Sequence, residues 1–251
     1  MPNEEYLDAS VRWKLKSGAI PFRELRPDEV ASQLIDLGLV TQVLRPIGSG
    51  KEADVYLAKD GPRWVAVKVY RLYRTSNRSR GAVKADGMGQ LALREFDLLG
   101  YAWAHRAPVP EPIQREENAF TMEYLGSPDR AAPQLRSVQL EDPEPFARAV
   151  VAAIEALAGG GIVHPDLSPF NILVHEDRPW IIDLGKALRI DRLGSAPQLR
   201  LQEARAALGH ALGALARYFR RYGVDLDPAA VMTTVFREVD RWGVIVPRDE
   251  A

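Results

Sequence analysis

HPDLSPFNILVHEDRPWIIDLGKAL, residues 164–188, is the stretch that decides how this chain folds. It presents Asp166, then Asn171 five positions on, then Asp183 behind the apolar run Trp180-Ile181-Ile182. The apolar segments after Asn171 and before Asp183 predict a β-hairpin, with the polar residues on the loops at its ends. Two carboxylates and an amide on neighbouring loops suit Mg²⁺ and phosphate. Magnesium prefers hard oxygen ligands, keeps several waters, and takes one or two carboxylates plus phosphate oxygens. Singly, each residue has a plainer account: Asp166 as a loop cap, Asn171 as a turn residue, Asp183 as the end of a strand.

The whole chain narrows the choices. Its 251 residues allow one large domain or two lobes, and 46% hydrophobic with 27% charged residues is ordinary for a globular protein. A formal net charge of −1 gives no global attraction to nucleic acid or anionic lipid. There is no cysteine, which removes disulfides, thiolate nucleophiles and cysteine zinc sites together. The N-terminal residues lack a signal-peptide pattern and no apolar run is long enough to span a bilayer, so a cytoplasmic protein without membrane contact is expected.

Upstream, residues 1–26 read as a loosely held arm, and Pro27 opens a helix through Val30, Leu34, Ile35 and Leu37 that Gly38 ends. Leu39–Leu44 and Val55–Ala58 are strand-like, with Gly48-Ser49-Gly50-Lys51 between them. Glycines there let backbone N–H groups approach a phosphate closely, although a plain hairpin turn accounts for the segment equally well. A P-loop is excluded, because Arg45 and Glu52 stand where that motif needs Gly and Ser or Thr. Asp60-Gly61 turns into a third strand, Trp64–Tyr70, in which Lys68 points to the face opposite its valine neighbours.

Residues 71–89 carry several arginines without apolar period and predict a mobile basic loop, either solvated or, over 71–84, a contact for RNA or a ribosomal particle. A helix over Gln90–Arg106 follows, with Leu91, Leu98, Leu99, Ala102 and Trp103 on its apolar face and Glu95 within it. Pro108, Pro110 and Pro112 mark a linker into a strand, Ala119–Leu125. The remainder reads as mainly helical: Pro145–Ala158, Arg200–Arg221, and a last helix from Asp227-Pro228 to about Trp242.

Taken together, the motifs G-S-G-K-E-A-D-V-Y (48–56), V-K-V-Y (67–70), M-E-Y-L (122–125), H-P-D-L-S-P-F-N-I-L (164–173) and I-D-L-G-K-A-L (182–188) resemble the RIO family of atypical serine/threonine protein kinases. The H-x-D-x-x-x-x-N spacing and the V-A-V-K strand are similar to protein-kinase signatures more generally. G-K-E-A-D-V-Y with D-L-S-x-x-N-I-L is specific to RIO. Pro165 and the Pro169-Phe170 pair depart from the usual RIO residues without removing a chemical group.

The resemblance implies an α+β, two-lobed protein-kinase-like fold: an N-lobe over 27–122, a hinge at 123–127, and a reduced helical C-lobe over 128–251 lacking the usual substrate-binding subdomain. It implies ATP and Mg²⁺, with Mn²⁺ as an alternative ion. Gly48, Ser49, Gly50, Lys51 and Val55 would form the nucleotide-binding segment, and Lys68, oriented by Glu95, would hold the α- and β-phosphates. Backbone groups of Glu123 and Leu125 would meet the adenine edge. Asn171 and Asp183 would hold the metal, and Asp166 would accept the proton of an attacking hydroxyl or receive the phosphate itself, as an ATPase-like switch. Two rivals fit part of the pattern: a small-molecule phosphotransferase of the aminoglycoside or choline kind, and a non-catalytic ATP-binding assembly factor. The protein substrate is not specified by the sequence.

Overall fold

A computed structural model of the protein describes residues 27–50, 52–70, 86–194 and 196–241. The N-terminal arm, Lys51, the 71–85 part of the basic loop and the residues from Trp242 onward lie outside that set. The described residues fall into two compact units. The first runs to Phe96 and resumes over Pro112–Tyr124; the second comprises Asp97–Glu111 and everything from Leu125.

The first unit is a five-stranded antiparallel sheet in the order β1-β2-β3-β5-β4, with β1 Gln42–Ser49, β2 Ala53–Asp60, β3 Arg63–Tyr70, β4 Pro112–Glu116 and β5 Ala119–Glu123. Period-two alternation sorts its side chains into two faces. One carries Tyr56, Ala58, Val65, Val67 and Ala119 into a core with Val30 and Leu34 of helix α1, Pro27–Asp36. The other carries Val55, Lys68 and Phe120, which are direct cross-strand partners, and Phe120 meets Phe96 at 5.8 Å between ring centres. Phe96 and Glu95 belong to helix α2, Asp86–Ala104.

Helix α1 ends at Gly38, whose φ is +70°, with Gly38 N–H donating to Ile35 and Leu39 N–H to Leu34. This termination buries Leu39 and Val40, so the expected strand from Leu39 begins instead at Gln42. Two helical residues expected to face inward do not: Ile35 is 44% exposed and Trp103 47% exposed. The proline-marked linker also contains a strand. Pro112 begins β4 at the sheet edge, where its missing N–H leaves no interior ladder bond unmade.

The second unit is mainly helical: α3 Pro143–Gly159, α4 Pro197–Arg220 and α5 Pro228–Asp240. Leu201, Leu208, Leu212, Leu215 and Phe219 form the buried stripe of α4, as their spacing predicts. Residues 97–111 are fastened here. Arg189 stacks on Tyr101 at 3.5 Å, and the Ile181 N–H donates to the Pro108 carbonyl at 2.8 Å.

The segments around Asp166 and Asp183 are nested ladders. Strand β6, Ile162–Val163, pairs with β9, Leu188–Arg189, while β7, Ile172–His175, pairs with β8, Arg178–Ile181. Loop 164–171 leaves β6 and enters β7; loop 182–187 leaves β8 and enters β9. Each loop is therefore held at both ends by the same two ladders. Glu176 and Asp177, with φ of +50° and +56°, close the predicted hairpin.

Candidate functional site

In the first unit, Lys68 Nζ donates to Glu95 Oε1 at 2.7 Å, with the two side chains only 12% and 4% exposed. The other carboxylate oxygen, Oε2, accepts from the Tyr70 hydroxyl. Tyr70 lies two residues beyond Lys68, so strand periodicity puts both on one face, and the lysine also approaches the Tyr70 ring at 5.6 Å. Asn118 holds the end of this strand through reciprocal contacts: its Nδ2 donates to the Tyr70 carbonyl at 2.5 Å and its carbonyl accepts from Tyr70 N–H at 2.9 Å. A buried charge that is paired and hydrogen-bonded on both oxygens is a built feature, because breaking such a pair leaves an uncompensated ion.

A row of cross-strand partners, Gly48, Val55 and Lys68, leads from the glycine segment to this pair. Gly48, Ser49 and Gly50 are exposed, and Gly50 N–H donates to the Ala53 carbonyl at 2.9 Å. A Cβ on Gly48 would come no nearer than 3.7 Å to Val55, one on Gly50 no nearer than 3.4 Å to the Ala53 oxygen, and neither glycine has a positive φ. The internal fold does not demand glycine at these positions. What glycine adds there is room for an outside group to approach the backbone. Lys51, the remaining predicted member, is outside the described residues.

Glu123 ends β5 opposite Val65. In the second unit Leu125 is buried, and its carbonyl accepts from Ala132 N–H at 2.9 Å. That carbonyl is thus already engaged within the chain. The turn from Leu125 to Ala132 depends on Gly126, at φ +139°, where a Cβ would fall 2.5 Å from the Arg130 oxygen.

Also in the second unit, loops 164–171 and 182–187 are tied together. Ile182 N–H donates to the Asn171 carbonyl at 3.0 Å, and His164 Nε2 lies 3.4 Å from the Ile182 carbonyl. Asn171 Nδ2 donates to the Asp166 carbonyl at 2.8 Å. Because that partner is a carbonyl, the amide nitrogen must face it, and Oδ1 is left as the group Asn171 can offer a ligand. Asp183 is exposed and takes the left-handed conformation, φ +64° and ψ +59°, at the start of the 3₁₀ turn Leu184–Lys186. Asp166 is exposed as well, and its Oδ2 accepts from Lys186 Nζ at 2.7 Å.

The donor set fits magnesium. An amide oxygen and one carboxylate are hard ligands, and among the described residues no group of three or more His, Cys, Asp or Glu side chains forms an all-protein cage. A site that leaves places for water and phosphate oxygens is the kind Mg²⁺ uses. His164 is buried beside these loops; its desolvation keeps the imidazole neutral, with its pKa below the usual range, although Ile182, Asp183 and Asp166 pull the other way.

Two residues escaped the sequence reading. Tyr70 was detectable from its i+2 relation to Lys68. Lys186 was detectable as the single cation of loops 164–171 and 182–187.

A family model for the RIO domain matches residues 54–231, which contain the Lys68–Glu95 pair and both loops around Asp166 and Asp183. The chain belongs to the RIO family of atypical serine/threonine protein kinases. It is 31% identical over 209 residues to the RIO-type serine/threonine-protein kinase Rio1 of Haloferax volcanii, covering 78% of this chain and 69% of that protein. It is 26% identical to Rio1 of Thermoplasma acidophilum, over 69% of this chain and 94% of the relative. Against serine/threonine-protein kinase RIO1 of Caenorhabditis elegans the identity is 30%, but the match spans only 38% of that longer protein. Among solved structures, the Rio2 kinase–ADP/Mg²⁺–phosphoaspartate complex from Chaetomium thermophilum superposes with a TM-score of 0.62 at 21% identity, covering 93% of this chain and 79% of that one. That similarity establishes the α+β kinase-like fold of this RIO member. Among its described residues, no helix is long and apolar enough to cross a membrane.

Proposed function

We propose that this RIO protein transfers the γ-phosphoryl group of Mg²⁺-bound ATP to a hydroxyl, with Asp166 taking the hydroxyl proton. The observation that carries this reading is the buried Lys68–Glu95 pair, whose second carboxylate oxygen is held by Tyr70. An exposed strand lysine would need none of that. Lys68 binds the α- and β-phosphates, and Glu95 fixes its position. The Gly48–Lys51 segment and Val55 cover the nucleotide, and the absence of internal crowding at Gly48 and Gly50 supports a backbone kept open for phosphate. At the adenine edge we assign the Glu123 backbone and the Leu125 N–H, since the Leu125 carbonyl is engaged with Ala132. We assign 27–122 to the N-lobe, 123–127 to the connection and 128–251 to the C-lobe.

Asn171 Oδ1 and the Asp183 carboxylate hold the metal. Bound there, Mg²⁺ supplies neutralisation of the phosphate charge. The protein residues supply position: Asn171 holds the Asp166 main chain, and the β6–β9 and β7–β8 ladders hold both loops. Phosphoryl transfer asks for little beyond alignment and charge balance, so this short set suffices.

The test is incubation with labelled ATP and Mg²⁺, alone and with generic protein acceptors, comparing wild type with Lys68→Ala and Asp183→Ala. Label on Ser or Thr, lost in both variants, supports the reading. A hydroxylamine-labile label on Asp166 would make the protein an ATPase-like switch. Label appearing only on small alcohols would support a small-molecule phosphotransferase. ATP binding without turnover in the wild type would leave an assembly factor and sink catalysis.

A further inference from the structure

The loop that carries Asp166 contains no lysine or arginine anywhere from His164 to Asn171. Its cation comes from the neighbouring loop, where Lys186 Nζ sits 2.7 Å from Asp166 Oδ2. We propose that Lys186 is a catalytic residue, the cation that neutralises the phosphoryl group in flight beside Asp166. This rests on the phosphotransfer reading above and deepens it.

The pair is poorly explained as a structural clamp. Its side chains are 67% and 52% exposed, and ion pairs in water contribute little to folding. The two loops are already fastened without it. Ile182 N–H reaches the Asn171 carbonyl, Ala187 N–H closes the 3₁₀ turn onto Leu184, and Leu184 and Ala187 are buried at 0% and 1% exposure. Those buried anchors fix the backbone on both sides of Lys186 while its four-carbon stem keeps the ammonium in solvent. Lysine is suited to this use, as a compact charge on a pivoting arm with three donors.

The chemistry supplies a reason for the pivot. As the bond between the γ-phosphorus and the β–γ bridging oxygen breaks, its electron pair leaves with ADP. The acceptor hydroxyl oxygen forms the new bond to phosphorus, and its proton passes to the Asp166 carboxylate. Asp166 thereby loses its negative charge, and the attraction that held Lys186 against Oδ2 falls. At the same stage negative charge spreads over the three equatorial phosphoryl oxygens. Lys186 then donates to one of these oxygens, losing no proton. The group that marks the acceptor position at rest becomes the group that stabilises charge during transfer, which is where preorganised donors act most strongly.

The experiment is steady-state ATP turnover of the 251-residue chain with Mg²⁺ for wild type, Lys186→Met and Lys186→Arg, together with Mg²⁺–ADP affinity and thermal midpoint for each. ADP lacks the γ-phosphoryl group. The expected result is a fall in kcat of about 10²–10³-fold in Lys186→Met, partial recovery in Lys186→Arg, and ADP affinity and thermal midpoint close to wild type. Turnover by Lys186→Met within about twofold of an active wild type would overturn the role of Lys186 and leave the phosphotransfer reading intact. Loss of ADP affinity in step with turnover would also overturn it, placing Lys186 with nucleotide binding. A wild type inactive in the same assay would remove both.

Discussion

Tyr70 and Glu95 are joined by a hydrogen bond in which the phenol donates to Oε2, while Lys68 occupies Oε1 of the same carboxylate. Glu95 is thus oriented from two sides, by a neighbour two residues along the strand and by the lysine it positions. Tyr70→Phe keeps the ring and removes one of those constraints. A buried acceptor left short of a partner costs about 1–3 kcal/mol. The expected outcome is a drop in thermal midpoint with a several-fold rise in KM for ATP, measured by calorimetry and initial rates. A Tyr70→Phe protein matching wild type in both would show that Lys68 alone holds Glu95.

Gly126 is a position where the fold itself dictates the residue. Its φ of +139° is far from L-residue minima, and a Cβ would meet three backbone atoms of 130–132 at 2.5–2.8 Å. Those atoms belong to the turn in which Ala132 N–H binds the Leu125 carbonyl, so relief would require moving that turn. Gly126→Ala should cost about 3 kcal/mol or more, or roughly 6–12 °C in thermal midpoint. Gly48→Ala, with only ordinary contact at 3.7 Å, should leave the midpoint nearly unchanged while weakening nucleotide binding. Equal thermal losses in the two variants would contradict the distinction.

What was legible in the sequence follows periodicity and spacing. Lys68 among valines declared its face, and the Leu201-to-Phe219 stripe declared α4, because both patterns reflect burial on one side. The loops around Asp166 and Asp183 were legible as a motif, but not as nested ladders, since β6 and β9 are two residues long and carry no alternation to read. The strand at Pro112 was hidden by its proline, which an edge strand tolerates. Trp103 and Ile35 were misplaced because helical spacing gives an apolar stripe without marking where it stops. The Lys186–Asp166 contact joins residues 20 positions apart and needs the fold to bring them together.

His164 should give the protein a measurable acid sensitivity. Desolvation by burial lowers its pKa from the ordinary 6.5, and the nearby charges of Asp183 and Asp166 only partly oppose that. Above pH 6.5 both folded and unfolded chains hold the imidazole neutral. Below it the unfolded chain takes up a proton that the folded chain resists, so stability falls as pH falls. One such group contributes at most about 1.4 kcal/mol per pH unit. Urea unfolding at pH 7.5 and 5.5 should show a larger loss for wild type than for His164→Gln. Parallel losses would assign the acid sensitivity elsewhere.

Asp183 separates stability from function most cleanly. It holds a left-handed conformation, φ +64°, which costs an L-residue roughly 1 kcal/mol and glycine much less. The site tolerates that cost at the residue that begins the Leu184–Lys186 turn and whose carboxylate we assign to the metal. Asp183→Gly relieves the backbone and removes the proposed ligand in one change. Its thermal midpoint should therefore equal or exceed that of wild type, even though glycine adds freedom to the unfolded chain. ATP turnover should fall by at least about 10²-fold, because charge neutralisation at the phosphates is lost. Asp183→Asn, which keeps an oxygen without its charge, should fall between the two in Mg²⁺ dependence and gain no stability. If Asp183→Gly were clearly less stable than wild type, the carboxylate would be holding the loop together, and its assignment as a metal ligand would lose its physical basis.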